Sequence, residues 1–181
     1  MQLVIISGRS GSGKSIALQA LEDLGYYAID NLPAMLLGSL VDELRSSPTA
    51  QSAIAVSIDA RNLPHAPLQT KQVDCQVVYL TTDARILIER YSATRRRHPL
   101  TRGRDMTLKE AIATEDATLS DIRNLADLTI DTSRLSVHDL RGRITEQVAR
   151  HQADRLTLTV ESFGFKGGVP LDADIVFDAR C

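Results

Sequence analysis

Cysteine is scarce in this sequence. Only Cys75 and Cys181 occur, far apart and without neighbours at metal-ligand spacing, which removes a zinc site and a disulfide scaffold from consideration. The four histidines, His65, His98, His138 and His151, show no metal spacing either, and none stands near a nucleophilic serine or cysteine in a catalytic pattern, so none is assigned catalysis. No stretch approaches the roughly 20 apolar residues of a membrane span. Residues 1–7 form a short apolar run without a basic leader or a long hydrophobic segment, which does not read as a signal peptide. The cytoplasm is the expected compartment, and no membrane partner is expected. Charge of one sign is lacking as well. With 21 Lys+Arg against 23 Asp+Glu the formal charge is −2, so any attraction to nucleic acid has to come from a local patch. Internal repeats and low-complexity tracts are absent. What is there, 43% hydrophobic and 24% charged residues over 181 positions, suits one folded domain with a small appendage.

Hydrophobic periodicity supplies the architecture. Residues 2–7 are a continuous apolar run of buried-strand length, and residues 14–24 carry Ile16, Ala17, Ala20, Leu21 and Leu24 at helical spacing. Gly25 suits a helix end, and residues 26–30 read as a second strand closing on Asp30-Asn31-Leu32-Pro33. Pro33 is expected to open a helix through Leu36, Leu37, Leu40, Val41 and Leu44, ended by Ser46-Ser47-Pro48. Residues 53–59 and 75–80 read as the third and fourth strands, 84–97 and 108–125 as helices, 127–131 as a fifth strand, and 136–150 as a last helix. Strands alternating with helices predict an α/β domain, a three-layer αβα arrangement on a mainly parallel sheet with right-handed crossovers. After about residue 152 the grammar changes. Residues 155–161 alternate apolar and polar side chains and 174–177 suit another strand, so residues 153–181 are expected to begin a second, β-containing domain.

The chemistry is concentrated in Gly8-Arg9-Ser10-Gly11-Ser12-Gly13-Lys14-Ser15, which matches the P-loop pattern G-x-x-x-x-G-K-[ST] and stands between a predicted strand and a predicted helix. Glycines let successive N–H groups turn toward phosphate oxygens, and the helix N-terminus adds its dipole. Lys14 is expected to reach the outer phosphates and Ser15 to ligate Mg2+ through its hydroxyl. The expected ligand is therefore ATP or GTP with Mg2+.

A P-loop protein also needs an acid at a strand end to hold the magnesium shell. Asp59, closing the third strand, is the leading candidate as second metal and catalytic residue beside Ser15 and Lys14, while Asp30 and Asp83 also follow apolar strands and compete for the role. Arg90, Arg95, Arg96, Arg97, Arg102 and Arg104, with His98 and Pro99, resemble the basic lid of small P-loop kinases; a solvated basic face is the plain alternative. Residues 131–137 follow the fifth strand, where such kinases often seat the base, an inference by analogy only. The same parts would serve a small-molecule kinase that transfers the terminal phosphate to a hydroxyl, or an interaction domain that binds nucleotide without turnover.

Several motifs together resemble a known family. They are Ser7 followed by the P-loop, Ala20-Leu21-Glu22-Asp23-Leu24-Gly25, Asp30-Asn31-Leu32-Pro33, Arg90-Tyr91-Ser92, Thr94-Arg95-Arg96 with His98-Pro99-Leu100, and Glu161-Ser162-Phe163-Gly164-Phe165-Lys166. In combination they are similar to the RapZ/YvcJ family of bacterial nucleotide-binding proteins, also called RNase adapter proteins. The resemblance implies a cytoplasmic, kinase-like P-loop domain over residues 1–152 that binds and slowly hydrolyses ATP and GTP. It further implies a C-terminal domain that binds small regulatory RNA, an endoribonuclease partner in enteric members, where amino-sugar synthesis is tuned, and homo-oligomeric assembly. The family's GTP-binding assignment falls on Asp59, Ala60, Arg61 and Asn62, which favours Asp59 over Asp83 as the strand-end acid. Residues 178–181 lie where the family continues through most of its second domain, so this chain is expected to bind RNA only weakly. The stretch 62–75 is also shorter than its counterpart in the family.

Overall fold

The computed structural model describes residues 2–46, 53–62, 74–95, 97–101, 105–148 and 177. The chain divides into two units, residues 1–151 and 152–181. The strand predicted at 155–161, residues 174–176 of the next one, the crossover at 62–75 for the most part, and Arg96, Arg102 and Arg104 lie outside the described residues.

In the first unit five strands form one sheet: β1 (Gln2–Gly8), β2 (Tyr27–Ile29), β3 (Ala53–Ile58), β4 (Asp74–Thr81) and β5 (Leu128–Asp131). Their order is β2-β3-β1-β4-β5 and all four pairings are parallel, with Gln2 opposite both Ala53 and Asp74 in the central register. β1 and β3 are buried along nearly their whole length because helices cover both faces, which is why their sequences are apolar without alternation. Successive side chains still point to opposite faces. Val4 and Ile6 join Leu21, Ala55, Val78, Leu80, Leu140 and Ile144 in one core, under α1 (Lys14–Asp23) and α6 (Val137–Gln147). Leu3 and Ile5 join Ile54, Val56, Ile58, Tyr79, Leu37, Val41, Leu119 and Ile122 in the other, with α2 (Leu37–Ser46) and α5 (Ser120–Asn124). The result is the three-layer αβα sandwich expected of a kinase-like P-loop fold.

Three boundaries differ from the sequence reading. A 3-10 turn at Ala34–Leu36 precedes α2, so Pro33 starts a tight turn, its carbonyl accepting from Leu36 N–H, before the α-helix begins. The helix predicted for 108–125 is two, α4 (Leu108–Thr118) and α5. The chain bends at Leu119, φ −87° and ψ 1°, which turns both Leu119 and Ile122 into the core. The basic helix α3 (Ala84–Thr94) keeps Arg85 and Arg90 but stops before Arg95 and Arg97, because Arg95 takes the left-handed conformation at φ 51° and cannot continue the helix.

Candidate nucleotide site

Strand order fixes where chemistry can occur. β1 is central and its carboxyl end runs straight into residues 8–15, so the glycine loop lies over the middle of the sheet edge, the place where open α/β sheets bind ligands. Gly8, Gly11 and Gly13 have φ of 144°, 89° and 103°. Only Gly13 caps α1 in the left-handed conformation, and its carbonyl receives Ile16 and Ala17 N–H to start the helix. Behind the loop lies a cleft of about 1000 Å³. Ser10, Gly11, Ser12, Gly13, Lys14 and Ser15 form its floor.

The walls divide by strand. On the β2–β3 side stand Asp30, Asn31, Ser57, Asp59 and Arg61; on the β5 side stand Thr132, Leu135, Ser136, Val137 and Leu140. Arg90, Tyr91, Thr94, Arg97 and Pro99 border it from α3 and the segment after it. Of the residues singled out in the sequence, the structure brings Ser10 to Ser15, Asp59 and Arg61 together in this cleft. Gly8, Ala60 and Asn62 do not line it. Arg9 turns its side chain the other way, donating to the Thr82 carbonyl and approaching Asp116 at 3.5 Å, so it lines a separate cavity of about 530 Å³ with Arg85 and Arg134.

Lys14 Nζ folds back on its own loop, donating to the carbonyls of Gly8 at 2.7 Å and Arg9 at 3.3 Å. Withdrawal from water pulls its ammonium below the ordinary lysine value, against the opposing pull of Glu115, Asp59 and Asp30. A cation held this way gains from an anionic ligand placed over the loop. Asp59 is 5% exposed at the end of β3, and Arg61 grips it: the backbone N–H of Arg61 donates to Oδ1 at 2.9 Å, and Nε and Nη2 donate to Oδ2. The bond to Asp59, with its charge, raises the guanidinium above its ordinary value. Arg61 Nη2 also reaches Asn31 Oδ1, to which Asn62 Nδ2 donates at 2.9 Å, so the ends of β2 and β3 are laced together. Asp30 accepts from Ser57 Oγ. Asp83 has a different task. It caps α3, accepting Arg85 N–H at 2.7 Å, and lies outside the large cleft.

An exposed Ser15 hydroxyl and the Asp59 carboxylate face the same cleft, an oxygen donor set that suits a hard cation completed by phosphate and water oxygens. Magnesium there would screen phosphate charge; Ser15 and Asp59 are the residues that would hold it. On the β5 side Arg90 donates to Gly11 O at 2.9 Å and to Thr132 O at 2.7 Å, while Thr132 Oγ1 donates to Ser12 O at 2.9 Å. Arg90 is therefore a strut between loop and wall.

Glu115 escaped the sequence reading altogether, and His98 figures in it only within the lid and the family motif. Glu115 of α4, 2% exposed, accepts from Ser10 N–H at 2.9 Å and Ser10 Oγ–H at 2.7 Å. His98, 1% exposed, lies 3.1 Å from the same carboxylate through Nε2, and its Nδ1 accepts Leu100 N–H. Burial works to raise the Glu115 carboxyl, but bonds from His98 and Ser10, aided by Lys14, hold it below the ordinary value. Nothing in the spacing of residues 10, 98 and 115 announces this cluster.

Fold and cleft define a nucleotide-binding P-loop domain of the kinase-like class. Solved structures of the same fold include shikimate kinase from Acinetobacter baumannii in complex with shikimate, at 17% identity and TM-score 0.56 over 83% of this chain and 94% of that one. A gluconokinase from Sinorhizobium meliloti is alike at 17% identity and TM-score 0.52, covering 83% and 93%. The RapZ-like N-terminal domain model matches residues 1–152, and the chain belongs to that family. Relatives called nucleotide-binding protein include one from Chromohalobacter salexigens, 69% identical over all of this chain and 64% of its own length. Another from Hahella chejuensis is 50% identical over all of this chain and 66% of its own length. The chain thus spans about two thirds of the length of these curated relatives.

Proposed function

We propose that residues 1–152 bind ATP or GTP with magnesium in the large cleft and hydrolyse it slowly, as the nucleotide-responsive part of a cytoplasmic RNA-binding adapter. The observation that carries this reading is the convergence of Lys14, Ser15 and Asp59 on one cleft at the carboxyl ends of β1 and β3. The triphosphate lies along the loop N–H groups with Lys14 at its outer phosphates, and the base lies against Leu135, Val137 and Leu140. Slow turnover is what the family resemblance implies, and it is supported by the engagement of both cleft carboxylates among the described residues, Asp59 by Arg61 and Asp30 by Ser57. By the family resemblance, RNA contact and the endoribonuclease partner belong with the second domain, which residues 153–181 begin.

Calorimetric titration with ATP and with GTP, with and without Mg2+, tests the binding, and phosphate release in water tests the turnover. Absence of binding would remove the reading. A second reading, phosphoryl transfer to a hydroxyl, is supported by Asp30 and Asn31 standing on the β2 side of the cleft. Faster nucleoside diphosphate formation with added hydroxyl acceptors than with water alone would favour it.

Asp59→Asn is expected to lower magnesium-dependent hydrolysis about tenfold or more, whereas Asp83→Asn changes it less than about twofold, because only the first faces the metal's position. Rates at saturating nucleotide decide this. Equal losses would move the metal role to the end of β4.

A further inference from the structure

Glu115 is out of place for a mere core residue. A buried carboxylate is costly unless fully hydrogen-bonded, and this one takes its donors from two segments that both border the cleft. From the P-loop come the N–H and hydroxyl of Ser10. From the segment after α3 comes His98. Because His98 Nδ1 accepts Leu100 N–H, its proton sits on Nε2 and points at Glu115. The ring of Tyr91 lies against the imidazole, centroids 5.3 Å apart.

The neighbours of His98 matter most. Arg97 and Pro99, on either side of it, both line the large cleft. At the other end of the same stretch Arg90 donates to Gly11 O at 2.9 Å. Arg90 and His98 are therefore fastened to two consecutive P-loop residues, the first directly at Gly11 and the second through Glu115 at Ser10.

We propose that Glu115 and His98 are positioning residues that fix the Ser10 peptide of the P-loop and couple it to the Arg97-bearing segment, so that Arg97 contributes to triphosphate binding only while Glu115 holds. This rests on the nucleotide-binding reading above. The Ser10 N–H is turned inward by Glu115, so the loop presents a set of donors defined from outside itself. A ligand that shifts Ser10 must shift His98, and with it Arg97. Glu115 itself does not line the cleft.

The test is a double-mutant cycle on the 181-residue chain, titrating a non-hydrolysable ATP analogue with Mg2+ into the parent, Glu115→Gln, Arg97→Ala and the double variant, with ligand-free thermal melting beside each. Glutamine keeps an acceptor for Ser10 but sets an amide where the second donor arrives. Glu115→Gln is expected to weaken binding about tenfold, on the scale of a lost hydrogen bond to a charged group, and Arg97→Ala severalfold. The double variant should be no weaker than Glu115→Gln alone. Additive losses, or an unchanged Kd in Glu115→Gln, would overturn the coupling. If Glu115→Gln does not fold, the cycle is run with His98→Asn. Failure of both to fold would assign the pair to the core alone and overturn the proposal. Absence of binding in the parent would instead count against the nucleotide reading itself.

Discussion

Lys14→Ala is expected to weaken Mg-ATP binding by about a hundredfold or more, the scale set when one partner of a close charge pair is removed, while the ligand-free melting temperature stays within a few degrees of the parent. Two observations separate the effects. Lys14 Nζ has only the carbonyls of Gly8 and Arg9 as hydrogen-bond partners in the described residues, and burial makes its charged form less favourable than in water. Its charge is therefore not what holds the loop in the free protein. A triphosphate placed over the loop supplies the countercharge that the carbonyl oxygens cannot. Calorimetric titration measures the first effect and thermal melting the second. Binding unchanged in Lys14→Ala would remove the P-loop assignment, and a collapse of stability would show the ammonium to be structural.

Legibility in the sequence followed the range of each interaction. The strand, glycine loop and helix at residues 2–24 are coded by neighbours, so composition and spacing sufficed, and the same holds for Asp59 at the end of an unbroken apolar strand. The sheet order is consistent with short right-handed crossovers. Three features were out of reach. The bend at Leu119 satisfies a core contact between distant elements, and helical spacing continues across it without a break. Arg9 sits inside the motif, yet Thr82 and Asp116 draw its side chain to the far side of the loop. Glu115 meets Ser10 across 105 positions and His98 across 17, and a lone glutamate on an amphipathic helix reads as solvent-facing. The absence of metal spacing argues against catalysis by His98 but says nothing of a carboxylate partner, and its contact here is with Glu115.

The loop glycines carry the second large expectation. A Cβ at Gly8 would stand 2.3 Å from the Leu80 carbonyl oxygen and 2.9 Å from Ser12 Oγ, on a residue whose φ of 144° disfavours any L side chain. The obstacle is backbone of β4, paired with β1 at this very position, so it cannot rotate aside. Gly8→Ala therefore has to spread the centre of the sheet or distort the entry to the P-loop, and a loss of about 2–4 kcal/mol of stability is expected from strain and overpacking together. Gly38, within α2, is the matched control: beyond its chain neighbours and the backbone of its own helix, no atom lies within 4 Å of its Cβ position, and its φ is not positive. Gly38→Ala should leave stability unchanged or raise it by about 0.5–1 kcal/mol, because alanine loses less backbone freedom on entering a helix. Urea unfolding of the two variants beside the parent decides the matter. The midpoint should fall sharply for the first and hold or rise for the second, and nucleotide affinity should fall with Gly8→Ala alone. Equal midpoints would mean that the β1–β4 contact at Gly8 yields to an added methyl, and that this glycine is not required by the close approach of Leu80.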